Sequence, residues 1–161
     1  MADGLDTGEC DCGAMAGPLG LCVDYYHAIL AEEQSDPQMY QWHAPVVCAY
    51  LLQHSSHAHG KYLDGQFRQL QLYVDQGLDA LLRVAAHQVA RNNHKAQSGY
   101  DPAPLAPYAP LPTSGSPDSF RAAFSGLPVV NGSFVADGHQ AYGRRIEIIA
   151  AATVESWISR H

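Results

Sequence analysis

His43-Ala44-Pro45-Val46-Val47-Cys48-Ala49-Tyr50-Leu51-Leu52-Gln53-His54 decides the fold. His43, Val47, Tyr50, Leu51 and His54 fall at i, i+4, i+7, i+8 and i+11, the spacing of one helix face. A helix is expected over about Gln38 to Ser55. Pro45 is tolerated only in a first turn, which shifts the start toward Trp42.

Reading backward, Ser35-Asp36-Pro37 ends one helix and caps the next. The preceding helix runs from Leu21 to about Gln34, with Val23, His27 and Leu30 on one stripe and Cys22, Tyr26 and Ile29 beside it. Reading forward, Gly60 offers a stop. Tyr62, Leu63, Phe67, Leu70, Tyr73 and Val74 mark a third helix broken near Gly77, and Leu78, Leu81, Leu82, Ala85 and Val89 mark a fourth. Asn92 to Asp118 carries six prolines, at 102, 104, 107, 110, 112 and 117, and is excluded from regular structure. Its span 96–118 is either a disordered loop or a lid. Val129 to Val135 has the pattern of a short β-hairpin, because Asn131-Gly132 suits a type I′ turn. A last helix, His139 to Ser159, turns Tyr142, Ile146, Ile149 and Trp157 inward. The expected fold is mainly α: a small bundle of four to five helices with an N-terminal Cys-rich loop, a long Pro-rich loop and a short β-hairpin. One domain spans 1–161, with 1–9 as a flexible tail.

A chain of 161 residues, 47% of them apolar, can bury a core without disulfides. Its net charge of -7, with nine Lys and Arg, argues against a nucleic acid or an anionic membrane surface as partner. No run is long enough to span a bilayer. Met1 to Gly8 is small and acidic and lacks the features of a signal peptide, so a cytoplasmic location is expected. There thiols stay reduced, and four cysteines read as metal ligands or core residues before disulfides. Nothing in the sequence decides the oligomeric state.

Cys10-Asp11-Cys12-Gly13, followed by Cys22, carries the most chemistry. Three thiolates and one imidazole are a common tetrahedral donor set for Zn²⁺, and a helix N-terminus favours the thiolate of Cys22. If the first two helices form a hairpin turning near Asp36, residues whose numbers sum to roughly 72 face each other, given the helical rise. Cys22 then faces Tyr50, and His54 lies beside the cysteine loop. His43, about 16 Å further along the helix, is too distant to share that ion. The expected ligands are Cys10, Cys12, Cys22 and His54, with Zn²⁺ as cofactor.

The same register brings His27 level with His43, and His139 joins them if the last helix runs antiparallel to the second. Three neutral imidazoles with an open position describe a catalytic metal site. Three separately hydrogen-bonded core histidines explain the pattern equally well. His57 and His59 read as surface residues, His87 and His94 as structural ones, and Cys48 as a small core residue.

Taken together, the string from His43 to His54, the Cys-Gly loop before it, Cys22, Tyr26-His27-Ala28, Phe134-Val-Ala-Asp-Gly-His139 and Val154-Glu-Ser-Trp157 resemble a family of small bacterial proteins of unknown function. Glu9 stands where that pattern, Cys-x-x-Cys-Gly, has its first cysteine. The resemblance implies a recurring Cys/His set, hence a metal, and lends no activity. Two function classes stay open. One is a zinc-dependent enzyme acting on a small molecule, with His43 or His139 as general base and the Pro-rich loop as cover. The other is a non-catalytic protein whose structural zinc supports binding of a protein or small-molecule partner. A thiol redox sensor without metal is a third.

Overall fold

A computed structural model describes residues 8–57, 60–93, 101–113 and 115–159. Within them the chain forms α1 (Cys22–Glu33), α2 (Pro37–Tyr40), α3 (His43–Gln53), α4 (Gly60–Gln76), α5 (Leu78–Asn93) and α6 (His139–Ile158). The mainly helical expectation holds. No helix among the described residues is long and apolar enough to cross a membrane.

The helix that decides the fold is shorter than its sequence pattern predicts. Asp36 caps α2 by accepting from the Met39 amide at 3.1 Å, with Pro37 in the first turn. The chain then turns at Trp42 and restarts as α3. Pro45 causes the break. In a continuous helix its missing N–H would leave the Gln41 carbonyl unbonded, whereas in a first turn no bond is lost. The expected inward stripe also needs correction, because α3 buries Pro45, Val46, Cys48, Ala49, Tyr50, Leu52 and Gln53, nearly its whole circumference. It packs against α1, α4 and α6, and a helix apolar all round must be enclosed.

On α1 the buried residues are Cys22, Tyr25, Ile29 and Glu33, a stripe rotated from the predicted one, and His27 is exposed. On α5, Ala80 and Leu81 are buried where the helix meets α4, but Leu82 and Val89 are 38% and 57% exposed rather than inward. α6 buries Tyr142, Ile146, Ile149 and Trp157 as expected, and the Trp157 indole donates to the Leu52 carbonyl at 2.8 Å.

The Pro-rich stretch is tied down along α4. Arg68 donates to the Tyr108 carbonyl at 2.7 Å, Gln71 pairs with both backbone groups of Ala109 at 2.8 and 3.1 Å, and Asp64 accepts from the Leu111 amide at 2.8 Å. Side chains of α4 satisfy a backbone that its prolines keep out of regular structure. Residues 94–100 and 114, and His59, lie outside the described residues, as does the tail 1–7.

The predicted β-hairpin does not form, although its turn does. Asn131 and Gly132 have φ of 52° and 78°, and Val130 and Ser133 bond to each other at 3.0 Å in both directions. The next pair of ladder bonds would join residues 128 and 135. Pro128 has no N–H, and the Val135 amide donates to Ser133 Oγ at 3.1 Å instead. The turn is held by α1: Glu32 accepts from Ser133 Oγ at 2.6 Å and from the Phe134 amide at 2.9 Å.

The end of α1 also holds two other elements. Glu33, with a side chain 0% exposed, lies 2.8 Å from His43 Nδ1, and Asp36 accepts from His139 Nε2 at 2.8 Å at the start of α6. His139 is the first reason the Asp36 carboxyl lies below its usual range, and the Met39 amide adds to the effect. A carboxyl depressed in the folded state stabilises above its unfolded pKa, and that stabilisation is lost as pH falls through the folded value. Asp36→Asn keeps a capping residue, so its denaturation midpoint should fall less steeply on acidification than that of the wild type. Equal slopes in a pH series of urea melts would contradict this.

Gly143 sets the approach of α6 to α3. A Cβ there would lie 2.4 Å from Trp42 Cζ2 and 2.7 Å from Cε2. Alanine favours a helix over glycine by about 1 kcal/mol, whereas overpacking a core costs typically about 1–3 kcal/mol. Gly143→Ala should therefore destabilise by up to about 2 kcal/mol in urea unfolding. An unchanged or raised midpoint would mean that the indole yields freely.

Candidate metal centre

The Cys-rich loop is shaped by a turn, Cys10-Asp11-Cys12-Gly13, closed by the Gly13 amide on the Cys10 carbonyl at 2.8 Å. Gly13 adopts φ of 91° and sits where a Cβ would be 2.8 Å from the Asp118 carbonyl oxygen, so no other residue fits without strain. The Cys10 amide reaches the Ala14 carbonyl at 2.7 Å, and Ser125 Oγ donates to the Met15 carbonyl at 2.7 Å. The turn delivers Cys10 and Cys12 to the foot of α1, whose first residue is Cys22.

His54 arrives from the other side, at the C-cap of α3. Its Nδ1 lies 2.8 Å from the Tyr50 carbonyl oxygen, which can only accept, so Nδ1 carries the hydrogen. The lone pair is then on Nε2, which faces Cys10 Sγ at 3.3 Å. A backbone carbonyl that fixes the tautomer in this way is the usual partner of a metal-ligating histidine. The ring is also clamped by a stack in which Tyr50 lies 4.3 Å from His54 and 4.0 Å from Tyr26 between centroids.

Cys12 and Cys22 are buried with their sulfurs 3.6 Å apart, and Cys10 is half-buried. The ligand atoms of Cys10, Cys12, Cys22 and His54 all lie within 4.8 Å of one another. A tetrahedral ion with metal–sulfur bonds near 2.3 Å has edges of about 3.8 Å, so the arrangement is compatible with a metal site. Electrostatics points the same way. The hydrogen bond from Cys12 pushes the Cys22 thiol well down, with His54 and Ser125 contributing, although burial opposes them. Cys12 is pushed up by its hydrogen bond to Cys22 and by burial. Tyr50 is pushed up to about 12, first by burial and then by the nearby cysteine charges. Three crowded sulfurs cannot all ionise without a cation to share them.

Beside this centre lies a cavity of about 320 Å³ lined by residues that include Asp11, Gln53, His54, Ser56 and Ser116. The second half of the Pro-rich stretch therefore adjoins the cysteine loop. Cys48 stands apart, buried and donating to Gln66 Oε1 at 2.7 Å.

The expected spot formed by His27, His43 and His139 is not assembled. Among the described residues no metal-holding group joins them: His43 pairs with Glu33, His139 pairs with Asp36, and His27 is exposed against the Tyr26 ring. The hairpin register brought positions level without turning their side chains together, because α1 is rotated to bury Tyr25 and Glu33. His87 pairs with Asp101 at 2.8 Å and joins α5 to the Pro-rich stretch. Ser125, which supports the cysteine loop, and Glu33, buried against His43, carry no signal in the sequence. A lone serine in a loop and a glutamate beside another glutamate both read as solvated.

No curated protein and no solved structure matches the chain. Residues 7–158 match a family described as "Family of unknown function (DUF5946)". The match takes in the cysteine loop, α3 with its terminal histidine and the whole of α6. The chain belongs to that family of unknown function.

Proposed function

We propose that this protein binds one Zn²⁺ through Cys10, Cys12, Cys22 and His54, and that the ion is structural. The observation that carries this reading is the convergence of three sulfurs and one imidazole nitrogen, its tautomer already set, within 4.8 Å. Thiolate-rich tetrahedral donor sets select zinc among common cellular cations, and four protein ligands leave no open position for substrate. The ion clips the N-terminal loop to α1 and α3. The same chemistry requires a compartment in which thiols stay reduced, which supports a cytoplasmic location.

Protein purified without a tag should contain about one zinc per chain by elemental analysis. An ion present at a thousand times its Kd stabilises by about 4 kcal/mol, which for a chain of this size lowers the Tm by about 8–16 °C on chelation. Cys22→Ser should lose the metal and melt lower, and Cys48→Ser should keep it. A folded, fully metallated Cys22→Ser protein would refute the assignment.

The cavity beside His54 supports a second reading, in which the ion has three protein ligands and a water and acts as a Lewis acid. X-ray absorption separates the two: three sulfurs and one nitrogen for the closed site, an oxygen in place of one donor for the open one.

A further inference from the structure

On the far side of the bundle from the cysteine loop, α6 meets the turn before α3 and the α4–α5 junction. A cleft of about 370 Å³ opens there, with the buried Trp42 and Tyr73 on its floor. Its volume falls at the lower end of the roughly 300–1,000 Å³ of small-molecule sites, which in bundles lie between helices.

One stripe of α6 forms a wall. Gln140, Gly143, Arg144 and Glu147 follow at i, i+3, i+4 and i+7. Gly143 is the residue that lets the indole of Trp42 lie against the α6 backbone, since any Cβ would collide with it. Asp79 on α5 faces this stripe across the cleft.

The charges here are unspent. Among the described residues, Arg68, Arg121 and Arg145 are consumed by Asp64, Glu155 and Asp137, whereas Arg144, Asp79 and Glu147 form no ion pair. Arg144 and Glu147, three residues apart on one helix face, are spaced to pair with each other and do not. Arg144 is the last of the influences that hold the Asp137 carboxyl low, and Glu147 adds to burial in raising the Tyr73 hydroxyl. The rim thus offers two carboxylates and one guanidinium around an aromatic floor.

We propose that this cleft binds a small cation that also carries a carboxylate, of the class of a basic α-amino acid. Its carboxylate meets Arg144, its cationic groups meet Asp79 and Glu147, and its methylene chain lies on Trp42 and Tyr73. Bidentate guanidinium–carboxylate pairing supplies orientation. The excess of acid over base at the rim selects against anions, as does the net charge of -7. This site is independent of the zinc reading.

The test is a ¹H–¹⁵N NMR titration of the full-length protein as purified, with L-arginine as probe. The Trp42 indole and Gly143 amide signals should shift saturably with a Kd of about 1 mM or tighter. The double variant Asp79→Asn/Glu147→Gln should weaken binding by about tenfold or more, and Arg144→Gln by several-fold. Glu155→Gln, an exposed change outside the cleft, should leave it intact. Glutarate, which carries two negative charges, should not bind. Absence of saturation, shifts that map elsewhere, unchanged affinity in the double variant, equal weakening by Glu155→Gln, or glutarate binding as well as L-arginine would each overturn the proposal.

Discussion

A helix as apolar as α3 has no face to give to water, and the rest of the molecule is arranged around that constraint. α1, α4 and α6 enclose it, and its two ends become the places where polar chemistry is brought inside. At the C-terminal end the Tyr50 carbonyl accepts the His54 amide at 3.0 Å and keeps a second lone pair. There the Tyr50 carbonyl oxygen takes the Nδ1 hydrogen of His54 and turns Nε2 toward the cysteines. The carbonyl that closes the last helical turn also sets an imidazole with its free nitrogen toward the sulfurs.

The cysteine loop shows a complementary economy. Residues 8–20 form isolated bridges rather than a sheet, Glu9 with Met15 and Gly17 with Gly20. So short a loop cannot bury enough apolar surface to offset its own ordering. The cation proposed for Cys10 and Cys12 on the loop, Cys22 on α1 and His54 at the end of α3 would join three parts of the chain at one point. It would also relieve the repulsion among three adjacent thiolates.

At the opposite end of α1 three carboxylates do mechanical work. Glu32 holds the Asn131-Gly132 turn, Glu33 meets the start of α3, and Asp36 meets the start of α6. Burial raises the Glu33 carboxyl above its ordinary range even though His43 opposes the shift. A buried carboxylate held at one oxygen is costly, and its place between α1 and α3 makes their packing specific. Two of the histidines that a sequence reading groups as a catalytic set, His43 and His139, are thereby spent on separate carboxylates, and His27 is exposed.

Local chemistry in the sequence determined where helices start, stop and break: the Asp36-Pro37 cap, the Pro45 restriction, the Gly77 interruption and the apolar spacing of α4 and α6 all act within a few residues. It also picked out the four residues that cluster, because Cys10, Cys12, Cys22 and His54 follow from residue type and one hairpin register. Tertiary structure alone decided which face of α1 turns inward and that Leu82 and Val89 stay exposed. It alone placed Glu33 in the core. The physical reason is that a polar side chain is buried only when a distant partner meets it, and no local pattern encodes the position of that partner.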